Sequence, residues 1–361
     1  DEATLAPELS LGLALAPHKN VQGFMAIKLL GEFNRVPEAQ DQHEIGLELT
    51  EAFLVFKGLW DGRIDLQIGR QKFKDARQWL YDEELDAVRL SYRLPQGAVE
   101  LAASRGGLVH KDILRRDDTE QHNTYLAYAT YAPHQALRLA AYVLGREDHA
   151  AAHENPVFVG LHADGVLPGS LRYWLEGAHV RGRDGAQRLL GFGIDLGGTY
   201  VLPLPFAPLL TLGYAFGSGD SDPADGVDRS FRQTGLQGNK GTWNGVASFQ
   251  YYGELLDPEL SNLALWTVGV GLKPSSKSSL DMVYHDYQQH RATASLREAG
   301  IRAVPDGRHT HLGREIDLVL GYNELRPVDF TLVLGYFTPG QALPAAYGSS
   351  VLLRCKLQVR F

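Results

Sequence analysis

Polar side chains, most of them basic, occupy every second position near the end of the chain. Arg354, Lys356 and Arg360 alternate with apolar residues, and Gln358 continues the same row. Because successive side chains of a β-strand point to opposite faces, this spacing puts all four polar groups on one face. Guanidinium and ammonium groups in a narrow aqueous passage would attract carboxylates through charge-assisted hydrogen bonds. The pattern therefore predicts a strand whose polar face handles an anion.

Charged residues elsewhere fall on the same polar face when each segment is counted alternately. They carry both signs, so we expect a lumen of mixed charge, to which Glu100 and Glu315 also contribute. The alternative is a structural network that only fills and stiffens the wall. Alternation predicts the face of the strand on which a side chain lies, but not whether it lies at the narrowest point of the passage. The residues predicted to line a substrate pathway are Arg70, Arg89, Arg93, Arg138, Arg172, Glu176, Asp195, Asp281, Asp317, Arg354, Lys356 and Arg360.

Arg70 is the first candidate for a constriction, although simple alternation argues against it. Counting from Ile64 through Leu66 and Ile68 puts Arg70 on the apolar face. A bulge at Gly69 would return it to the polar face. Without that bulge we expect a rim residue near the lipid headgroups.

Two further groups of residues have chemistry that suits sugars or metals. Aromatic rings on the polar face could stack on sugar rings, although packing is the alternative; they are Trp174, Tyr128, Tyr142 and Tyr287. Closely spaced carboxylates beside a glycine suit calcium, but they lack the Glu at position 12 of an EF-hand loop, and a solvated acidic loop is the main alternative. These are Asp220, Asp222, Asp225 and Asp228. The histidines have generic spacing, so no zinc site and no other cofactor are expected.

Enzymatic and nucleic-acid-binding functions are not expected. The chain contains no nucleophile elbow, phosphate loop or dinucleotide fingerprint. His285 forms no convincing triad with Ser279 or Asp281. With 35 basic and 43 acidic residues the formal net charge is −8, which argues against a nucleic-acid partner.

The elements that must position these side chains are alternating segments of about ten residues, separated by turns. Their period of two and their regular spacing are typical of an all-β, transmembrane, antiparallel up-and-down barrel. Bacterial barrels have even strand counts, so we expect about 18 strands. The eighteenth strand either precedes Asp1 and is absent from this chain, which we favour, or is not recognised among the segments below. Such a barrel is wide enough for an aqueous channel. We count 17 segments, near 3–16, 21–34, 46–58, 63–73, 84–94, 98–109, 123–132, 136–146, 156–166, 170–181, 188–202, 207–217, 263–273, 278–289, 313–325, 329–338 and 350–361.

Loop lengths suggest one barrel domain over 1–361, with two different rims. Short turns such as 60–62 alternate with longer polar loops, among them those near 35–45, 110–121 and 146–155. This alternation is typical of periplasmic turns and extracellular loops. The loop at 218–261 has 44 residues, and loops of that length are usually functional or disordered. We expect it to act as a plug or lid, with a mobile surface loop as the alternative.

Cysteine content and hydropathy fit the same interpretation. The single cysteine, Cys355, allows no internal disulfide. The longest uncharged stretch, 200–217, is interrupted by three prolines, so no membrane-spanning helix is expected. The sequence shows no charged n-region and apolar h-region at its start, so we expect that any signal peptide has been removed.

An ordered series of short motifs runs through nearly the whole chain. They are Ile68-Gly69-Arg70-Gln71-Lys72 with Asp75 and Gln78-Trp79; Phe231-Arg232-Gln233-Thr234-Gly235-Leu236 with Asn239; Tyr252-Gly253-Glu254; Pro258-Glu259-Leu260-Ser261-Asn262-Leu263; Val283-Tyr284-His285; Glu315-Ile316-Asp317-Leu318; Phe337-Thr338-Pro339-Gly340; and Arg360-Phe361. This ordered set resembles the alginate-export outer-membrane porin family. The resemblance implies an 18-strand barrel with a basic constriction that exports an anionic polyuronate.

Two regions depart from that family pattern. Similar proteins are richer in arginine where this chain has 249–252 with Asp257, and 331–333. We therefore expect a porin that passes an anionic polysaccharide or oligosaccharide, not specifically alginate. It would lie in the outer membrane of a Gram-negative bacterium, in contact with lipid and lipopolysaccharide, and periplasmic secretion partners are possible.

Two other functions remain open. A general or small-solute diffusion porin would have opposed acidic and basic walls, whereas an exporter of a polyanion would have one continuous basic path. A structural barrel in an envelope complex would have a sealed lumen without conductance.

Overall fold

The computed structural model describes residues 3–35, 42–114, 122–148, 154–301 and 303–360. Phe361 and parts of the loops expected near 35–45, 110–121 and 146–155 lie outside these ranges. Within them, helical structure is confined to α1 (Leu59–Gly62) and a 3-10 turn (Ala345–Tyr347). No helix in the described ranges is long and apolar enough to cross a membrane.

Strands make up most of the described chain, and the 17 predicted segments each coincide with a strand of nine residues or more. Their ends differ from the predicted ones by a few residues. The strands are β1 (Ala3–Leu5), β2 (Glu8–His18), β3 (Val21–Arg35), β4 (Gln42–Gly58), β5 (Ile64–Lys74), β6 (Asp82–Leu94), β7 (Gly97–Arg105), β8 (His122–His134), β9 (Leu137–Asp148), β10 (Glu154–Leu167), β11 (Leu171–Asp184), β12 (Gln187–Val201), β13 (Leu209–Gly217), β14 (Val227–Asp228), β15 (Lys240–Gly241), β16 (Phe249–Gln250), β17 (Leu263–Ser275), β18 (Ser278–Gln289), β19 (His311–Tyr322), β20 (Val328–Pro339) and β21 (Ser350–Val359).

The first of two compact units comprises Asp1–Phe73, Glu83–Thr130 and Tyr142–Asn155. In it, β3 pairs antiparallel with β2 and β4, β4 with β5, and β6 with β7. Gly69 on β5 has φ 119°, and an added Cβ would lie 2.2 Å from the Ala52 carbonyl oxygen, so only glycine fits there.

The second unit comprises Lys74–Asp82, Tyr131–Ala141 and Pro156–Phe361. Its long strands β11, β12, β13, β17, β18, β19, β20 and β21 pair antiparallel in that order. Because β13 pairs directly with β17, the 218–261 loop connects two neighbouring strands of the sheet. The loop contains only the short strands β14, β15 and β16.

In this second sheet the apolar face is exposed and the polar face is covered, which is the reverse of the arrangement in a soluble protein. Leu212 on β13 is 55% exposed, and Ile316 on β19 is exposed as well. Their neighbours on the other face, Thr211 and Glu315, are fully inaccessible. Exposed apolar residues alternating with covered polar ones are typical of strands that face lipid on one side.

Candidate functional site

The covered polar face of the second unit gathers carboxylates from three strands. Asp195 lies on β12, Asp281 on β18, and Glu315 and Asp317 on β19, and all four are almost inaccessible. Alternation predicted this face for each of them. Since buried carboxylates are costly without hydrogen bonds or opposite charge, what covers them decides what the site can do.

The 218–261 loop provides that cover and hydrogen-bonds directly to Asp195, Glu315 and Asp317. The backbone N–H groups of Leu255 and Leu256 donate to the two oxygens of Glu315 at 2.7 and 3.0 Å. The N–H of Glu254 donates to Asp317 Oδ2 at 3.3 Å. The loop is therefore seated on the charged wall through its backbone.

Aromatic side chains of the loop fill the space above the strands. Trp243 packs edge-on against Phe249, with ring centroids 4.9 Å apart. A Cβ at Gly269 on β17 would lie 2.0 Å from the Trp243 ring, so the strand needs glycine for this close approach.

Two of the predicted pathway arginines are bound by the loop. Arg354 donates to Glu254 Oε2 at 2.5 Å, and Arg172 donates to the Trp243 carbonyl oxygen at 2.9 Å. Their guanidinium groups are therefore engaged while the loop is seated.

A third arginine, Arg77, belongs to the same site, although it was not among the site residues predicted from the sequence. Its guanidinium lies 4.3 Å from the Trp174 ring centroid and 4.2 Å from that of Tyr251, and it pairs with Asp195 at 3.1 Å. Burial lowers the pKa of Arg77, but Asp195 and the phenols of Tyr251 and Tyr252 raise it more, so the net shift is upward. This cation stays charged between the two rings.

The loop that carries Arg77 also holds the 218–261 loop in place. The carboxylate of Asp75 shapes it by accepting hydrogen bonds from several of its N–H groups, including that of Tyr81 at 2.9 Å. Its Gln78 carbonyl oxygen accepts from the N–H groups of Gly238 and Asn239 at 2.8 and 2.9 Å. The Trp79 indole donates to the hydroxyl of Tyr252 at 2.9 Å.

Other predicted pathway residues of the second unit form ion pairs on its strands. His162 lies 2.5 Å from Glu176 and 2.6 Å from Asp164, and Arg138 pairs with that same aspartate at 3.0 Å. Arg360 pairs with Asp329 at 2.9 Å.

Lys356 is exposed on β21, opposite Thr331 of β20. The two oxygens of Asp281 have no hydrogen-bond partner within the described part of the chain.

In the first unit the predicted pathway arginines also have acidic partners. Arg89 reaches Glu100 and Arg93 reaches Asp65, each at 2.5 Å. Arg70 pairs with Asp86 at 3.3 Å and lines a cavity together with the exposed Ile68.

The predicted calcium ligands lie in a stretch that also carries two arginines. Arg229 pairs with Asp225 at 2.7 Å, and Arg232 pairs with Asp228 at 2.6 Å. The hydrogen bond from Arg229 lowers the pKa of Asp225. Within the described ranges no three acidic, histidine or cysteine side chains are grouped as metal ligands would be. Calcium binding stays a prediction.

Asp257 is a loop carboxyl whose pKa lies well above its ordinary value. Burial raises its pKa to about 7, Glu254 and Glu315 act in the same direction, and the hydrogen bond from Gln250 opposes them. The site thus contains a carboxyl group that changes charge near neutral pH.

Sequence reasoning missed Arg77, Glu254 and Asp257 as site residues. They belong to loops, where no alternation assigns a face. The available signal was local composition, because aromatic residues and carboxylates are concentrated in 249–257.

Solved structures with the same arrangement of strands are outer-membrane barrels. The chain is similar to the OccK7 (OpdD) structure of Pseudomonas aeruginosa, with a TM-score of 0.58 and 12% identity over 99% of this chain and 91% of that one. It is also similar to the outer membrane protein OprD of the same organism, with a TM-score of 0.51 and 12% identity over 99% and 94%. The fold is therefore that of a transmembrane antiparallel β-barrel.

Sequence comparison identifies the family. The model of the family described as Alginate export matches residues 9–353. The chain is 31% identical to the alginate production protein AlgE of Pseudomonas aeruginosa over 302 residues, which are 71% of this chain and 59% of that protein. It is 28% identical to AlgE of Azotobacter vinelandii over 148 residues, 39% of this chain and 28% of that protein. The chain belongs to the alginate export family, and its matches span less than two thirds of either relative.

Proposed function

We propose that this chain forms an outer-membrane channel that exports an anionic polysaccharide of the polyuronate type, gated by the 218–261 loop. Family membership supports the channel role, and the relatives are named for alginate production. The observation that carries the proposal is that the loop is seated on the charged wall while binding Arg172 and Arg354.

Release of the loop would change the charge that the passage presents. Withdrawal of Glu254 would leave the Arg354 guanidinium without its carboxylate, and withdrawal of Trp243 would free Arg172. A sugar carboxylate can replace Glu254 as the hydrogen-bond acceptor, because guanidinium groups bind carboxylates with high geometric specificity. The loop therefore masks basic groups that the substrate would use.

Aromatic residues beside Arg77 would complete the surface that contacts the polysaccharide. Trp174 and Tyr251 flank its guanidinium, and only Tyr251 belongs to the gating loop. When that loop leaves, one face of Arg77 and the Trp174 ring become available to a sugar ring and its carboxylate.

A small-solute diffusion porin is the second candidate. It is favoured by the pairing of opposite charges, as in Arg89 with Glu100 and Arg138 with Asp164. Such pairs present a mixed wall, which lacks the continuous positive potential that a polyanion would follow.

Single-channel recording in planar bilayers, with titration of oligouronates, tests the proposal. We expect an anion-selective current that micromolar oligouronate blocks. The double substitution Arg172→Gln/Arg354→Gln should weaken the block about tenfold, as expected for a loss of roughly 1.4 kcal/mol.

Arg314→Gln is the matched control, because Arg314 is an exposed arginine paired with Asp286 on the neighbouring strand. A cation-selective current that is indifferent to oligouronates would favour small-solute diffusion instead. A barrel that never conducts would indicate a structural role.

A further inference from the structure

A cavity of about 450 Å³ in the first unit has a lining unlike that of the polar face described above. Its walls are mostly apolar and include Ile68, Val88, Leu108 and Tyr125. The volume falls within the range of roughly 300–1,000 Å³ that is usual for small-molecule sites. An apolar lining of this kind suits a hydrocarbon group.

The cavity lies on the exposed apolar face of the strands. Ile68 is opposite Leu54 in the β4–β5 pair, and Val88 is opposite Ala103 in the β6–β7 pair. Leu54, Ile68 and Val88 are each more than 40% exposed. Because apolar residues exposed on an outer-membrane barrel contact lipid, the cavity belongs to the lipid-facing side.

Charged groups line this lipid-facing cavity, where an uncovered charge would be costly. Arg70 and Asp86 form an ion pair, and each side chain is only 7% exposed. Arg70 Nη1 also donates to the Val109 carbonyl oxygen at 3.0 Å. Its Nε has no hydrogen-bond partner within the described ranges. Arg105 is a second basic residue in the lining, so two arginines face one aspartate.

The segment 106–114 lies over the ion pair and exposes several aliphatic side chains together with Lys111. It is attached to β4 by hydrogen bonds from Leu49 N–H to the Lys111 carbonyl oxygen at 3.0 Å and from Ile113 N–H to the Leu47 carbonyl oxygen at 2.8 Å. Leu108, Ile113 and Leu114 are more than half exposed. The segment thus presents aliphatic side chains to lipid above a buried cation.

We propose that this cavity binds an acyl chain of lipopolysaccharide, with a phosphate of the same lipid held by Arg105. The apolar lining takes the hydrocarbon, and the excess of one positive charge selects a phosphorylated lipid. Lipopolysaccharide is the occupant because segment 106–114 leads into the loop predicted near 110–121 on the extracellular rim. That rim lies next to the outer leaflet, where lipopolysaccharide resides.

Two substitutions test the proposal on the full chain, purified from outer membranes in mild detergent. Ala103→Trp places a large ring in the cavity wall, and Leu212→Trp adds the same ring to the exposed face of β13 as a matched control. Mass spectrometry would measure lipopolysaccharide retained per barrel. We expect at least a threefold loss for Ala103→Trp and no loss for Leu212→Trp.

Arg105→Gln separates the phosphate contact from the filling of the cavity. It should reduce lipopolysaccharide retention, while Arg93→Gln, an exposed arginine of the same unit that pairs with Asp65, should not. Heat-modifiable gel migration checks that each variant folds, and the conductance of Ala103→Trp, Leu212→Trp and Arg105→Gln should stay at the wild-type value.

Three results would overturn the proposal. The first is equal lipopolysaccharide retention in Ala103→Trp and Leu212→Trp. The second is retention of phospholipid alone by the wild-type barrel, with its loss in Ala103→Trp, which would assign the cavity to a different lipid. The third is loss of a dimer in Ala103→Trp, which would mean that a second copy of the chain covers the cavity.

Discussion

At the scale of single residues, the pairing of Arg354 with Glu254 sets the balance between a seated and a released loop. Arg354 is half exposed, whereas Glu254 is nearly inaccessible. The free energy of an exposed ion pair is small, but a buried carboxylate that loses its partner is destabilised by several kcal/mol, of the order of 3–5. Loss of the Arg354 contact is therefore expected to weaken the seating of the loop.

Asp257 makes this seating depend on pH. Its pKa is raised to about 7 in the seated loop, whereas the ordinary value is 3.8. The seated loop binds the proton more tightly than a released loop would, so seating weakens as pH rises from about 4 to about 7. Above that window the effect is constant.

We expect the wild-type channel to open more often at pH 7.5 than at pH 5.5, and Asp257→Asn to show a flatter pH profile. Single-channel open probability measures this directly. Asp222→Asn, an exposed carboxylate of the same loop, should keep the wild-type profile. An unchanged pH profile in Asp257→Asn would rule out this carboxyl as the titrating group.

Alternation along strands predicted the face of a residue but not its partner. Asp195, Glu315 and Asp317 lie on the polar face, as the period of two indicates. Several of their partners come from loops more than 50 residues away, such as Leu255 for Glu315. Loop residues have no periodic pattern, so only folding brings Arg77 between Trp174 and Tyr251.

At the scale of elements, the strands could be predicted because lipid on one side and polar groups on the other impose a strict period of two. The conformation of the 218–261 loop could not be predicted from the sequence, because it depends on contacts with several strands. One of its glycines, Gly245, lies against β18. An added Cβ there would lie 3.2 Å from Ser279 Cβ.

That contact allows the loop to be locked. Gly245→Cys/Ser279→Cys, in a Cys355→Ser background, brings two Cβ atoms near the separation of about 3.5–4.5 Å found in disulfides. Asp281 Oδ2, 2.6 Å from the added Cβ, must turn aside, and this carboxylate has no hydrogen-bond partner among the described residues to hold it.

Oxidation should abolish channel opening, and a thiol reductant should restore it, because the disulfide joins the loop to the wall. Each single-cysteine variant carries the same steric change without the bond and serves as the control. Unchanged opening with a disulfide confirmed by mass spectrometry would show that the loop does not gate the channel.

At the scale of the whole molecule, stability in the membrane rests on the exposed apolar face. Leu212 lies within β13, paired with Gly198 and Val268, and is 55% exposed. A lysine on the lipid face of a barrel costs about 2–4 kcal/mol at the bilayer midplane and about 0–1 kcal/mol near the interfaces. Leu212→Lys should therefore lower the free energy of unfolding in lipid vesicles by about 2 kcal/mol or more, measured by denaturant titration.

Leu204→Lys provides the matched control for this comparison. Leu204 is exposed to the same degree as Leu212, but it lies in the turn between β12 and β13. A charge there can reach water, so we expect a change of at most about 1 kcal/mol. Equal effects of the two substitutions would mean that exposure alone, and not contact with the hydrocarbon core, determines the penalty. A larger effect at Leu212 would instead place β13 across the membrane and leave the opposite, polar face to the passage that the 218–261 loop covers.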